Sequence, residues 1–253
     1  MAGHSKWANT KHRKARVDAQ RGKIFTKLAR EISVAAREGG EDISANFRLR
    51  LVVQKARENN MPGENIQRAI QKGLGGQEGT SYDQTNYEGY AAGGVAVLLE
   101  VMTDNKNRTV AEIRHIFSRH GGSLGESGCV SWMFSRKGFL TVNLNELTID
   151  EDDLMLAVLD AGAEDVTLED DGTYSITTAL ENFEAVKQHL QEQNIPVASD
   201  EVTMLPSTTV SITDPELASR IIRLMEAIDE HDDVQNVYAN FDISEDLLTL
   251  ISQ

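Results

Sequence analysis

The first 30 residues carry nine lysines and arginines against one acidic residue, Asp18. A cationic run of this kind neutralises phosphates and releases their counterions, which gives affinity for nucleic acid. Trp7 and His12 lie inside the run and could contact a base, phosphate or sugar; alternatively, Trp7 packs on the neighbouring helices. We predict that the following residues bind nucleic acid: Lys6, Trp7, Lys11, His12, Arg13, Lys14, Arg16, Arg21, Lys23, Lys27 and Arg30.

A second candidate contact is the loop formed by Asn105, Lys106, Asn107 and Arg108, between an apolar segment and a predicted helix. Amide and cationic donors at a helix N-terminus favour an anion, because the first backbone N–H groups are unpaired there. The alternative is a capped turn whose polar side chains bond locally. We predict a contact to phosphate or to the ribosome, since the loop belongs to an otherwise acidic region.

Side chains suited to catalysis or metal binding are scattered. Cys129 is the only cysteine, which excludes an intramolecular disulfide and a multi-cysteine zinc site. His115 and His120 are five residues apart and do not share a helical face. We interpret the acidic run 229–233 as a solvated loop at the end of a helix. The sequence therefore predicts a non-enzymatic protein with no catalytic residue, no metal and no cofactor.

The net charge of −15 over 253 residues would, as an average, argue against nucleic acid. It is the sum of two opposite parts. Residues 1–75 contain 16 Lys/Arg and 7 Asp/Glu, a net charge of +9, whereas residues 76–253 contain 9 and 33, a net charge of −24. No apolar run approaches the ~18 residues of a membrane span. With no apolar signal segment and one cysteine, we expect a cytoplasmic protein without a membrane partner; a small-molecule ligand remains unknown.

Apolar spacing predicts three helices in the basic part, over about 23–38, 44–59 and 62–73. In the second, Phe47, Leu51, Gln54 and Glu58 trace one face, with Val52 and Ala56 adjacent. Predicted strands and helices then follow in the order βαβ, βαββαβ, βαβ, with strands that include 95–101, 130–134, 208–212 and 234–241. We predict an α+β, multidomain fold, in which an N-terminal three-helix bundle precedes two ferredoxin-like α/β domains, one nested within the other. The expected divisions are a basic arm 1–22, a helical bundle 23–76, a discontinuous split βαββαβ domain over 77–137 and 206–253, and an inserted βαββαβ domain 138–205.

Seven residue strings have a distinctive sequence: 1–14, 22–27, 61–70, 87–90, 103–109, 121–125 and 130–134. Together they resemble the YebC/PmpR family over essentially the whole chain. One departure is Ala91-Ala92, where the family usually has Gly-Pro. The resemblance implies a three-domain fold and a transcriptional regulator that binds double-stranded promoter DNA. It also leaves a translation role open, since relatives include a mitochondrial translational activator and bacterial factors that help ribosomes through proline-rich stretches.

The leading hypothesis is a nucleic-acid-binding regulator of transcription that uses the basic arm and bundle. The first alternative is a ribosome-associated translation factor that binds structured ribosomal RNA, because no element that reads duplex DNA is apparent. The second alternative is a protein-interaction adaptor that uses the acidic domains. In the first two hypotheses the acidic domains repel nucleic acid, so that only the cationic side engages.

Overall fold

The computed structural model describes residues 17–75, 82–144, 150–169 and 172–251. Its helices are α1 (Val17–Gly39), α2 (Phe47–Glu58), α3 (Gly63–Gly73), α4 (Lys106–Arg119), α5 (Glu151–Asp160), α6 (Phe183–Glu192), α7 (Pro215–Asp229) and α8 (Glu245–Ile251). Its strands are β1 (Asp83–Tyr90), β2 (Ala96–Thr103), β3 (Ser123–Leu124), β4 (Phe134–Asn143), β5 (Ala163–Leu168), β6 (Thr173–Thr178), β7 (Ser199–Pro206), β8 (Val210–Ser211), β9 (Val234–Ala239) and β10 (Phe241–Asp242). None of these helices is long and apolar enough to cross a membrane.

Helices α1, α2 and α3 pack around one apolar core, as the spacing predicted. Its central side chains include Leu28, Ile32, Leu49, Val53 and Ile70, all buried. Asn46 caps α2 by accepting a hydrogen bond from the Leu49 N–H at 3.0 Å, and its side-chain amide donates to the Ala35 carbonyl oxygen at 2.8 Å. This single amide therefore ties the start of α2 to α1.

The packed face of α2 consists of Leu49, Val52, Val53 and Ala56, which are all buried. Phe47 and Leu51, on the face traced from the sequence, are 61% and 44% exposed. The buried set has a 3-1-3 spacing, which covers a broader apolar stripe than the pair Phe47 and Leu51. The two large apolar side chains therefore lie at the surface of a helix rich in arginine.

The outer α/β domain is built on a four-stranded sheet with the strand order β3-β1-β2-β9. Strands β1 and β2 pair antiparallel from Asp83↔Thr103 to Tyr90↔Ala96. The turn between them contains Ala91-Ala92 and is closed by a hydrogen bond from the Ala91 N–H to the Val95 carbonyl oxygen at 2.8 Å. Strand β1 has polar residues at most positions and was missed, since it lacks an apolar run.

The predicted strand 130–134 was wrong. Residues Ser131–Met133 form a short 3₁₀ turn, and only Phe134 begins a strand. The Val130 N–H donates to the buried carboxylate of Glu88 at 2.8 Å, and the Gly128 N–H donates to its other oxygen at 2.7 Å. Because a side chain takes the hydrogen bonds that a neighbouring strand would need, this apolar segment forms a loop.

The inserted domain has the strand order β5-β6-β4-β7, with all neighbours antiparallel. In its own chain order this is 2-3-1-4, the ferredoxin-like arrangement that the βαββαβ pattern predicts. Leu140, Ile176, Leu154, Val186 and Leu190 contribute to its core, which joins strands β4 and β6 to helices α5 and α6. The predicted fold class, α+β with an N-terminal bundle and two α/β domains, is confirmed.

The described residues divide into two compact units. One contains 17–130 and 216–237, which comprise the three-helix bundle and most of the outer domain. The other contains 131–215 and 238–251, which comprise the inserted domain with β8, β10 and α8. The short strands β8 and β10 pair parallel, Val210 with Phe241 and Ser211 with Asp242.

Candidate nucleic-acid interface

The basic arm lies mostly outside the described residues. Lys6, Trp7, Lys11, His12, Arg13, Lys14 and Arg16 precede the first described residue, Val17. Helix α1 begins at Val17, six residues before the predicted start, so Arg21 is helical, although its side chain is not among those described. The arm's contact with nucleic acid stays a prediction from charge.

Lys23, Lys27 and Arg30 lie on one face of α1 and contact the acidic turn 229–233. The Lys23 ammonium donates to the Glu230 carbonyl oxygen at 3.5 Å, and Lys27 donates to that of Asp229 at 2.9 Å. Arg30 donates to the Asp232 carbonyl oxygen and to Asp233 Oδ1, the latter at 2.9 Å. The interpretation of this run as a solvated loop was wrong, because the turn receives cations from the bundle.

Asp233 is the centre of this contact and is 2% exposed. Its Oδ2 accepts hydrogen bonds from Thr109 Oγ1 at 2.6 Å, Arg108 Nη2 at 2.7 Å and Thr103 Oγ1 at 3.1 Å. Burial alone would raise the pKa of Asp233. The hydrogen bonds from Thr109 and Arg108, the charge of Arg30 and the Thr103 hydroxyl outweigh burial and hold that pKa below its ordinary value.

The second predicted contact loop adopts the capped-turn alternative. The Asn105 side chain accepts from the Arg108 N–H at 3.1 Å, so it caps α4. The Arg108 guanidinium donates to Asp104 at 2.9 Å and to Asp233. Lys106 pairs with Asp83 at 3.4 Å, and both side chains are more than half exposed. Asn107 is exposed.

The structure thus brings together two groups of residues that the sequence treated as separate sites. Arg30 from the bundle and Arg108 from the loop bind the two oxygens of one carboxylate, Asp233. Both arginines and the carboxylate belong to the same compact unit. Arg30 and Arg108 therefore help to join the bundle to the outer domain. Contact of these two cations with phosphate stays a prediction.

The exposed surface of α2 combines cations with two large apolar side chains, Phe47 and Leu51. The Arg50 guanidinium carbon lies 5.3 Å from the centroid of the Phe47 ring, within the range of a cation–π contact. Arg50, Lys55 and Arg57 are exposed on this helix. Sequence analysis traced a face through Phe47, Leu51, Gln54 and Glu58 but did not single out the cations beside it. The 3-1-3 spacing of Leu49, Val52, Val53 and Ala56 was the signal that the Phe47 face points away from the core.

Cys129 is half-buried. Its burial and the charge of Glu88 raise the pKa of the thiol, so the thiolate needed for nucleophilic chemistry is disfavoured. Within the described ranges, no group of three or more His, Cys, Asp or Glu side chains is arranged to hold a metal ion.

Comparison with known proteins identifies matches over almost the whole chain. The TACO1/YebC protein N-terminal domain matches residues 5–76, and the TACO1/YebC second and third domain matches residues 82–241. A protein named "Probable transcriptional regulatory protein" from Natranaerobius thermophilus is 55% identical over 249 residues, 98% of this chain and 99% of the relative. One of the same name from Halothermothrix orenii is 54% identical over 253 residues, 100% of both chains.

A solved structure is also similar. The crystal structure of a protein titled as conserved and hypothetical, from Aquifex aeolicus, superposes with a TM-score of 0.77 at 47% sequence identity. The match covers 92% of this chain and 94% of that one.

Proposed function

The chain belongs to the TACO1/YebC family, and we propose that it is a transcriptional regulator that acts by binding duplex DNA through its N-terminal arm and helical bundle. The names of its relatives from Natranaerobius thermophilus and Halothermothrix orenii support the regulatory role. The binding mode is argued from the charges and exposed groups of this chain.

The observation that carries the proposal is the set of exposed cations on α2. Arg48, Arg50, Lys55 and Arg57 stand on this helix against one carboxylate, Glu58. Arg48 pairs with Glu38 across the bundle, whereas Arg50, Lys55 and Arg57 are exposed. Arg50 and Arg57 are seven residues apart and share one flank of α2, whereas Lys55 lies on the opposite flank, so that cations border the exposed Phe47 on both sides. Cations placed in this way on a short exposed helix can meet phosphates of a nucleic-acid backbone. The net charge of −24 on residues 76–253 repels nucleic acid, so the bundle is the side that engages.

The test compares the full chain with the triple variant R50Q/K55Q/R57Q. Affinity for a labelled DNA duplex is measured by fluorescence anisotropy at several salt concentrations. We expect the triple variant to bind about tenfold more weakly near 0.15 M salt, with a log–log salt slope shallower by about 1 to 2, because one or two phosphate contacts are lost. The control E58Q removes the neighbouring carboxylate and should bind at least as tightly as the unchanged chain.

Two outcomes would contradict parts of this proposal. If the unchanged chain shows no salt-dependent binding to duplex DNA, DNA-directed regulation fails. If the chain binds DNA but R50Q/K55Q/R57Q binds with the same affinity and slope, the α2 face is not the contact.

A second candidate target is structured ribosomal RNA, and the exposed Phe47 favours it. An aromatic ring at the surface with an arginine above it is a stacking platform for an unpaired base, which looped RNA offers and regular duplex DNA does not. This candidate would make the chain a translation factor.

The variant F47A separates the two targets. We expect it to weaken binding of a looped ribosomal RNA by about 1 to 3 kcal/mol, the usual value of one base–aromatic stack, while affinity for duplex DNA changes little. L51A removes the other exposed apolar side chain of this face and serves as the control, since leucine has no aromatic surface. Equal affinity of F47A and the unchanged chain for RNA would exclude stacking on Phe47.

A further inference from the structure

Three arginines meet at the turn that follows α4, in the most acidic part of the sequence. Residues 76–253 hold nine Lys/Arg against 33 Asp/Glu. Arg119 is the last residue of α4, and Arg220 and Arg223 are three residues apart on α7, so they share a helical face. All three side chains are exposed. A third of the cations in this region are therefore concentrated at one place.

The turn 120–122 lies against the side chain of Arg220 on α7. Gly121 has φ +76°, and a Cβ atom built on it would lie 3.4 Å from Arg220 Cδ. The charges of Arg119 and Arg223 both act on the next side chain, His120. Burial, followed by these two charges, lowers the pKa of His120. Arg220 thus lies against the turn, Arg119 directly precedes it, and Arg223 is about one helical turn from Arg220, all within one compact unit.

These arginines are not explained by pairing within the described part of the chain. No described carboxylate lies within 4 Å of the guanidinium groups of Arg119, Arg220 or Arg223. Four other cations of residues 76–253 are paired: Lys106 with Asp83, Arg108 with Asp233, Lys137 with Glu164, and Lys187 with Asp200. Arg114 also has no described carboxylate within 4 Å, but it stands apart from the three arginines of the cluster in the middle of α4. Residues 76–253 include 33 acidic residues. Three neighbouring arginines without a described carboxylate partner in such a region indicate that they bind an external anion.

Helix electrostatics accounts for only one member of the cluster. Arg119 lies in the last turn of α4, where a cation is favoured by the negative end of the helix dipole. Arg220 and Arg223 lie in the middle of α7, where that effect is absent, and their like charges repel each other. Arg223 also lies about 9 Å along the axis from Asp229, so the cluster is separate from the contact between α1 and the acidic turn.

We propose that Arg119, Arg220 and Arg223 form a second nucleic-acid contact, which binds backbone phosphates while the arm and bundle bind a neighbouring stretch. The inference rests on the proposed function. The guanidinium group suits this task, because its planar donors match the oxygens of a phosphate in a bidentate manner. Two cationic surfaces on an otherwise acidic molecule fix the direction in which the polynucleotide crosses it.

The test uses the full chain with the triple variant R119Q/R220Q/R223Q, and the same labelled DNA duplex and looped RNA. We expect affinity to fall about 20-fold near 0.15 M salt and the salt slope to become shallower by about 2, as the loss of two phosphate contacts predicts. The matched control is R114Q/K137Q/K187Q, which removes three other cations of the same region and should change affinity less than threefold. Circular dichroism confirms that both variants are folded.

The outcomes separate this inference from the proposed function. If R119Q/R220Q/R223Q and the control R114Q/K137Q/K187Q both bind nucleic acid as tightly as the unchanged chain, the cluster is not a phosphate contact. The proposed function then still stands. If the three arginines bind an acidic protein segment and not phosphate, R119Q/R220Q/R223Q should bind nucleic acid as tightly as the unchanged chain does. That result would also exclude the cluster as a phosphate contact. If the unchanged chain binds neither DNA nor RNA, the proposed function and this inference both fail.

Discussion

Replacement of Asp233 by asparagine is expected to lower the free energy of unfolding by about 3 kcal/mol, the usual cost of removing one partner from a buried, hydrogen-bonded ion pair. The carboxylate receives Arg30 on one oxygen and Arg108, Thr103 and Thr109 on the other. A neutral amide cannot balance the two guanidinium groups, and its N–H₂ end faces donors. Urea unfolding followed by circular dichroism measures the loss.

Asp232 provides the matched control, because its side chain is exposed and only its backbone oxygen joins the contact with Arg30. D232N should change the free energy of unfolding by less than about 0.5 kcal/mol, as is usual at the surface. If D233N were no less stable than D232N, the contact at Asp233 would not hold the bundle to the outer domain.

The same carboxylate predicts part of the acid sensitivity of the protein. Its pKa is lowered in the folded state, so the unfolded chain takes up its proton first as pH falls. The stabilisation is therefore complete above the unfolded pKa of about 3.9 and is lost as pH falls through the lower folded pKa. Unfolding free energies measured between pH 7 and 3 should fall less steeply at the acid end for D233N than for the unchanged chain. Parallel curves would show that another group is responsible.

Neutralisation of the arm is expected to have the largest effect on nucleic-acid affinity. The variant K6Q/K11Q/R13Q/K14Q/R16Q removes five cations that precede α1. If about half of them contact phosphates, affinity near 0.15 M salt falls about 50- to 100-fold, and the slope becomes shallower by about 2. Anisotropy titrations at four salt concentrations give both values. Urea unfolding of both proteins is the stability control for this comparison.

A charge-preserving control distinguishes electrostatics from specific contacts. K6R/K11R/R13K/K14R/R16K keeps all five charges and should retain affinity within a few-fold, because counterion release depends on charge and not on the identity of the cation. Loss of affinity in this variant as well would mean that the arm reads its target through particular hydrogen bonds. Retention of full affinity in the glutamine variant would refute the arm as a contact.

The parts of the fold that depend on local pattern were predictable. The three bundle helices follow from apolar spacing, and the ferredoxin-like order of the inserted domain follows from its βαββαβ pattern. The errors have physical causes. Strand β1 was missed because it is polar, and the segment before β4 is turned by the Glu88 carboxylate. In α2 the packed stripe runs through Leu49, Val52, Val53 and Ala56, which leaves Phe47 and Leu51 exposed.

By itself the sequence determined where charge is concentrated, a net +9 on the first 75 residues and −24 on the rest, and which segments form helices. Only the tertiary structure decided which cations are used internally and which remain at the surface. Arg30 and Asp233 are 203 residues apart, and the fold brings Arg220 of α7 against Gly121, directly after Arg119 of α4. The charge of each residue can be read from the sequence, but the fold determines which opposite charge lies next to it. Coulomb and hydrogen-bond energies depend on distances in space, which the separation along the chain does not set.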